Sequence, residues 1–274
     1  MSRMGTQGLW VKRFTPVPGA RWRLICFAHA GGSALSFREW STWLPGVEVL
    51  CVQPPGREER LGEPPLRQVG ALVDSLLEAL RPWLDRPFAF FGHSLGTLQA
   101  YELAQRLRQQ EAPQPAHLLV SAHRAPHLPP SRRVLHALPQ AEFVSELRRL
   151  GGTPSAVFDV PELLELIGPT IRADLEMTER HEWHELPPLD CPITAFGGTE
   201  DERVDPQEVQ QWARHTRARF ESHFFPGGHF YLREHLQPLL RHIHSLLTQD
   251  APGEWQAPAG AARAQGPGPA RQGA

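Results

Sequence analysis

Lysine is nearly absent from this chain: Lys12 is the single one among 28 Lys and Arg residues. Such a bias is of the kind that genomic base composition produces, and no function has to be invoked for it. Excess charge of either sign is missing as well, the formal net charge being -2. No basic cluster is interleaved with aromatic residues, which excludes the groove a nucleic-acid strand requires. Cysteine is scarce. Cys26, Cys51 and Cys191 are an odd number and cannot close a complete disulfide set; their apolar flanks predict reduced residues in or beside buried strands. No apolar run approaches the length of a bilayer span, and residues 1–20 lack the continuous apolar segment of a secretory signal. A cytoplasmic protein with no membrane partner is expected.

Apolar residues make up 41% of the 274-residue chain, enough for one sizeable core. Strand-like runs at residues 9–15, 23–28, 47–52, 88–91, 117–121, 193–196 and 219–225 alternate with helical patterns such as 69–83 and 206–215. A last helical pattern, 231–248, closes the domain. The alternation predicts an α/β fold, a mostly parallel central sheet flanked by helices. One domain over residues 1–250 is expected, followed at 251–274 by Ala, Pro, Gly, Gln and Arg without apolar periodicity, which reads as a disordered tail.

The most informative segment is Gly92-His93-Ser94-Leu95-Gly96. It follows the apolar run Phe88-Ala89-Phe90-Phe91 and precedes a helical pattern, so Ser94 falls at a strand-to-helix turn. A sharp turn of that kind lifts a serine hydroxyl above the sheet edge, and only small neighbours permit it. The hydroxyl is a poor nucleophile until a histidine takes its proton and an acid orients that histidine. In an α/β-hydrolase the acid comes next in the chain and the histidine last. Asp201 sits at the tip of the loop after a strand ending in Gly197-Gly198, with Glu200, Glu202 and Asp205 as neighbouring rivals; Asp205-Pro206 resembles a helix start. Of 14 histidines, His229 follows a strand-like run and Gly227-Gly228, whereas His235, His242 and His244 fall in the last helical pattern, as solvated or packing residues. Two backbone donors must hold an oxyanion, and Ala30, in His29-Ala30-Gly31-Gly32-Ser33, and Leu95 offer the N–H groups. His29 itself reads as a structural histidine.

With those segments, Gln53-Pro54-Pro55-Gly56-Arg57-Glu58, Arg124-Ala125-Pro126-His127 and Gly227-Gly228-His229-Phe230, the chain resembles the type II thioesterases, stand-alone α/β-hydrolases of polyketide synthase and nonribosomal peptide synthetase systems. The resemblance implies hydrolysis of acyl thioesters from the phosphopantetheine arms of acyl or peptidyl carrier proteins, removing misprimed or stalled groups. It implies a triad of Ser94, Asp201 and His229 and needs no metal or organic cofactor. Thr97 departs from the family's usual alanine, and residues 181–184 replace a Tyr-rich stretch; both departures are expected to alter the acyl chamber. A carboxylic-ester hydrolase using the same triad, or a non-catalytic carrier-binding scaffold, is the alternative.

Residues 128–188 interrupt the alternation with helical segments near 140–150, 161–167 and 169–179, too long for an ordinary connection. A helical lid is expected, with Phe143, Leu147, Phe158, Leu163 and Ile167 lining an acyl cavity. Carrier proteins are acidic around the arm, so Arg57, Arg60, Arg132, Arg133, Arg148 and Arg149 are candidate docking contacts. No long apolar stripe is left over, which points to a monomer.

Overall fold

The computed structural model describes residues 9–129 and 134–249. Arg132, Arg133 and the 251–274 tail lie outside them. Among the described residues seven strands form one sheet in the order β1-β3-β2-β4-β5-β6-β7. These are β1 (Val11–Lys12), β2 (Trp22–Phe27), β3 (Val47–Val52), β4 (Phe88–His93), β5 (His117–Ser121), β6 (Ile193–Gly198) and β7 (Phe220–Phe225). All neighbours pair in parallel except β1, which runs antiparallel to β3. β2 to β5 are buried throughout, as their continuous apolar runs require when helices cover both faces. The arrangement is the α/β-hydrolase fold that the sequence pattern anticipates. The expected first strand, 9–15, shrinks to Val11–Lys12, because it lies at the sheet edge and Pro16 and Pro18, which lack an N–H, follow closely.

On one face α1 (Val69–Leu80) and α2 (Leu95–Gln109) bury Leu72, Leu76, Leu98 and Leu103 against Ile25, Phe88 and Phe90. On the other, α6 (Leu236–Gln249) buries Leu239, Leu240 and Ile243 against Leu24, Phe91 and Phe196. Cys26 and Cys51 face each other across β2 and β3 as free, buried thiols, and Cys191 is also free and buried. Burial pushes the Cys51 and Cys191 thiols up to about 12, far from the thiolate that reactivity needs.

Between β5 and β6 lie α3 (Gln140–Leu150), a 3-10 turn at Ser155–Asp159 and α4 (Pro161–Glu179). The expected break at Pro169 does not occur. Pro169 sits inside one continuous helix, whose hydrogen-bond deficit is tolerated because Thr170, Ile171 and Asp174 on the following turn are anchored by packing and polar ties. These helices have their own apolar cluster, Leu135, Phe143, Leu147, Phe158, Leu164, Ile171 and Leu175. A short α5 (Pro206–Gln210) follows β6. Among the described residues no helix is long and apolar enough to cross a membrane.

Candidate active site

Parallel strands carry the loops at their carboxyl ends to one edge of the sheet, and four such loops meet here. They follow β2, β4, β6 and β7, and carry Ala30, Ser94, Asp201 and His229.

Ser94 has φ 55° and ψ -122°, a conformation rarely adopted by an L-residue. What over-determines it is close backbone packing. A Cβ on Gly92 would lie 2.3 Å from the Gly96 carbonyl oxygen, and one on Gly96 would lie 2.1 Å from that of Phe27, so neither glycine can carry a side chain. The Ser94 N–H donates to Ser121 O at 2.8 Å. Thr97 reinforces the turn from beneath: its hydroxyl donates to Gly92 O at 2.7 Å and accepts from Ser121 N at 3.1 Å. Thr97 is fully buried and does not line the cavity at Ser94, so its expected effect on an acyl chamber is replaced by a structural one.

His229 Nε2 lies 3.0 Å from Ser94 Oγ, and His229 Nδ1 lies 2.7 Å from Asp201 Oδ2. A carboxylate only accepts, so Nδ1 carries the proton and Nε2 of the neutral ring is free to accept from the serine. Both partners are withdrawn from water, with side chains 8% and 1% exposed. The second Asp201 oxygen accepts the Arg203 N–H at 2.9 Å. Two of the three rivals are occupied elsewhere: Asp205 caps α5, accepting from Gln207 N at 2.7 Å, and Glu202 pairs with Arg149 at the surface. The acid and histidine loops are joined through Glu200 N to Gly227 O at 2.9 Å, and a Cβ on Gly198 would strike Gly228 O.

Under the triad lies a network that sequence reading missed. His93 Nδ1 is 2.9 Å from Ser121 Oγ, which is 2.7 Å from the Tyr231 hydroxyl. The rings of His29 and His93 pack around Phe230, beside His229. Burial, then neighbouring positive charge, lowers His29 to about 3 and His93 well below the usual imidazole value, so both are neutral packing groups at neutral pH. Nothing in the periodicity singles out Ser121 or Tyr231; their meeting depends on strand register.

The two proposed oxyanion donors face this point differently. Leu95 is the first residue of α2, where the helix leaves its N–H groups without intrahelical partners and the dipole favours negative charge. Ala30 precedes two amides that are already engaged, Gly31 N with Asp174 Oδ2 at 2.8 Å and Gly32 N with His29 O at 2.8 Å. Among the described residues Ala30 N–H has no hydrogen-bond partner.

Asp174, on α4, also receives both terminal nitrogens of Arg57 at 2.9 Å, and Arg57 donates to Gly32 O at 2.8 Å. Thr170 donates to Gly56 O at 2.6 Å. The Gln-Pro-Pro-Gly-Arg-Glu loop is thus a staple between the Ala30 loop and α4. Arg57 and Arg60 are 8% and 4% exposed, which corrects their assignment to a docking surface: Arg60 is engaged by Gln53 O and Glu63. Arg148 and Arg149 remain exposed. Replacing Arg57 with Gln leaves the Asp174 carboxylate buried without its ion partner. Thermal or denaturant unfolding of that variant should show a loss of about 3–5 kcal/mol, and a stability equal to wild type would refute the staple.

Ser94 and His229 open into a cavity of about 570 Å³, lined by Leu98, the 122–129 loop, Leu175, His181 and Trp183 among others. None of the five expected cavity residues borders it. Phe143 and Phe158 are buried in the helical cluster, Ile167 packs against it, and Leu163 is 40% exposed. Leu147 alone reaches Ser94's surroundings, in a second recess of about 30 Å³ beside Ala30 and Phe230. The reason is chiefly axial: α4 brings Leu175 to the serine, whereas Ile167 lies eight residues, about 12 Å, earlier along the same helix and Leu163 a further turn back. Residues 181–183 do line the cavity, as their departure from the family suggests, and the Arg124–His127 segment lines it too.

Comparison with known proteins agrees with this geometry. Residues 22–247 match a family described as "Thioesterase domain". The protein named linear gramicidin dehydrogenase LgrE of Brevibacillus parabrevis is 42% identical over 228 residues, 82% of this chain and 87% of its own. Thioesterase PikA5 of Streptomyces venezuelae is 41% identical over 249 residues, 89% of this chain and 88% of its own. The solved structure of the type II thioesterase BorB from the borrelidin biosynthetic cluster aligns with a TM-score of 0.81 at 39% identity, covering 87% of this chain and 98% of that one.

Proposed function

Because the chain belongs to the thioesterase domain family, we propose that it is a type II thioesterase, releasing acyl groups from the phosphopantetheine arms of carrier proteins in polyketide or nonribosomal peptide assembly. The observation that carries this proposal is His229 bridging Ser94 and Asp201 at 3.0 and 2.7 Å at the mouth of a cavity of about 570 Å³. Ser94 Oγ attacks the thioester carbonyl while His229 Nε2 takes its proton. Asp201 holds the imidazole in the tautomer this requires and stabilises the imidazolium. The N–H groups of Ala30 and Leu95 hold the tetrahedral oxyanion, each worth about 10²–10³ in turnover. Collapse expels the pantetheine thiol, which takes a proton from His229 and leaves an acyl-Ser94 ester. His229 then draws a proton from water, the hydroxide adds to the ester, and collapse returns the proton to Ser94 and frees the acid. The recess of about 30 Å³ beside Ala30 is large enough for a water molecule.

The insertion between β5 and β6 acts as the lid over Ser94, with α4 as its fixed wall. Arg148 and Arg149, exposed at the end of α3, are the cationic contacts for an acidic carrier protein. The dehydrogenase name of one relative does not carry over to this site. The chain contains no Gly-x-Gly-x-x-Gly dinucleotide fingerprint, and a polarised serine suits acyl transfer rather than hydride transfer.

The test is acid release from an acetyl-phosphopantetheinyl carrier protein beside an oxyester of the same acyl group. The carrier thioester should be hydrolysed with the higher kcat/KM. A preference for the oxyester would assign an esterase, and inertness toward both a scaffold.

A further inference from the structure

Away from the triad, on the face of the sheet that α6 covers, three side chains converge without a role in hydrolysis. Glu221 and His223 are two residues apart on β7, so they project from the same face of the strand. His242 faces them from α6. The imidazoles of His223 and His242 have centroids only 3.9 Å apart. The Nε2 atom of each is buried and, among the described residues, has no hydrogen-bond partner. The nearest acid, Glu221 Oε2, is 3.6 Å from His223 Nε2, beyond hydrogen-bond length, while Arg219 Nε sits 3.3 Å from the other Glu221 oxygen. Phe196 backs both rings.

Buried polar atoms without partners are expensive, and two of them side by side next to a carboxylate point to a shared ligand. One ligand atom from each residue lies within 4.8 Å of the others. Tetrahedral zinc at its usual bond lengths needs ligand separations of about 3.4 Å, a closure that small rotations of a glutamate and two half-buried imidazoles supply. Two imidazoles and one carboxylate form a nitrogen and oxygen set suited to a borderline divalent ion rather than to calcium or magnesium. We propose that Glu221, His223 and His242 form a binding site for a divalent transition-metal cation of the zinc class, tying β7 to α6. Residues 226–235, which carry His229, connect those two elements, so a bound ion clamps both ends of that loop. The ion itself stays outside the hydrolytic chemistry.

The experiment uses untagged full-length protein stripped of metal, titrated with Co²⁺ and then Zn²⁺ while visible absorption, heat of binding and Tm are followed. The expected result is one equivalent of Co²⁺ with d–d absorption of a low-coordinate nitrogen and oxygen site, displaced by Zn²⁺, and a Tm raised by Zn²⁺. His223→Gln and His242→Gln should each weaken binding at least ~10-fold and abolish the Tm rise, with their metal-free melting showing that they remain folded. His127→Gln, in a separate close histidine pair, should bind as wild type does. No uptake by the wild type, uptake that survives both β7 and α6 substitutions, or uptake lost in the His127 variant would each overturn the proposal.

Discussion

Replacing Ser94 with Ala should lower the turnover of a carrier-bound thioester on the order of a million-fold, by analogy with measured serine triads. The size follows from the division of labour at the site. On the proposed mechanism, without Oγ there is no covalent intermediate and His229 has nothing to deprotonate but water, while the Ala30 and Leu95 amides would still stabilise a small residual reaction. Among the described residues the hydroxyl has one hydrogen-bond partner, His229 Nε2 at 3.0 Å, and the strained backbone at φ 55° is held by neighbouring main chain rather than by the side chain. Ser94→Ala should therefore melt close to wild type and still bind its carrier protein. Turnover within tenfold of wild type would remove Ser94 from the mechanism; loss of the fold would be read separately from the melting curve.

Asp201→Asn should cost about 10⁴ in kcat with the fold intact. An amide can present its NH₂ to His229 Nδ1, which forces the ring proton onto Nε2 and turns the base away from the serine. The contact being altered is short and dry, 2.7 Å with an acid side chain 1% exposed, so water cannot rescue it. Asp205→Asn is the paired control. Asp205 serves as the cap of α5, a position where Asn is about as good as Asp, and both kcat and Tm should stay near wild type. Equal losses in the two variants, or a loss confined to Asp205, would transfer the acid role.

How far such a site is legible in a sequence depends on how local its causes are. The turn at Ser94 is local: an apolar strand, two glycines that admit no Cβ and a helix start all lie within a short stretch, so the positions of Ser94 and Leu95 could be read directly. The loops of Asp201 and His229 each follow a strand-like run and a Gly-Gly pair, so their arrival at the same sheet edge as Ser94 was legible for the same reason. The helical insertion was legible as an interruption, but which turn of it reaches the serine was not. Phe143, Phe158 and Ile167 have the composition of a cavity wall, yet they face the insertion's own core, and Leu175 and Trp183 reach the cavity instead.

By itself the sequence determined the α/β-hydrolase order of elements, the strand-to-helix turn at Ser94, and the identity of the three residues that meet there. Periodicity, small-residue spacing and turn chemistry act over a few residues and are written in the chain. Only the tertiary structure decided what pairs across long separations. Arg57 meets Asp174 across 117 positions and becomes a buried staple rather than a docking contact; Ser121 meets Tyr231 across 110; and His242 turns toward His223 instead of solvent. Each depends on strand register and helix rotation, which many weak packing contacts set together and no single residue encodes.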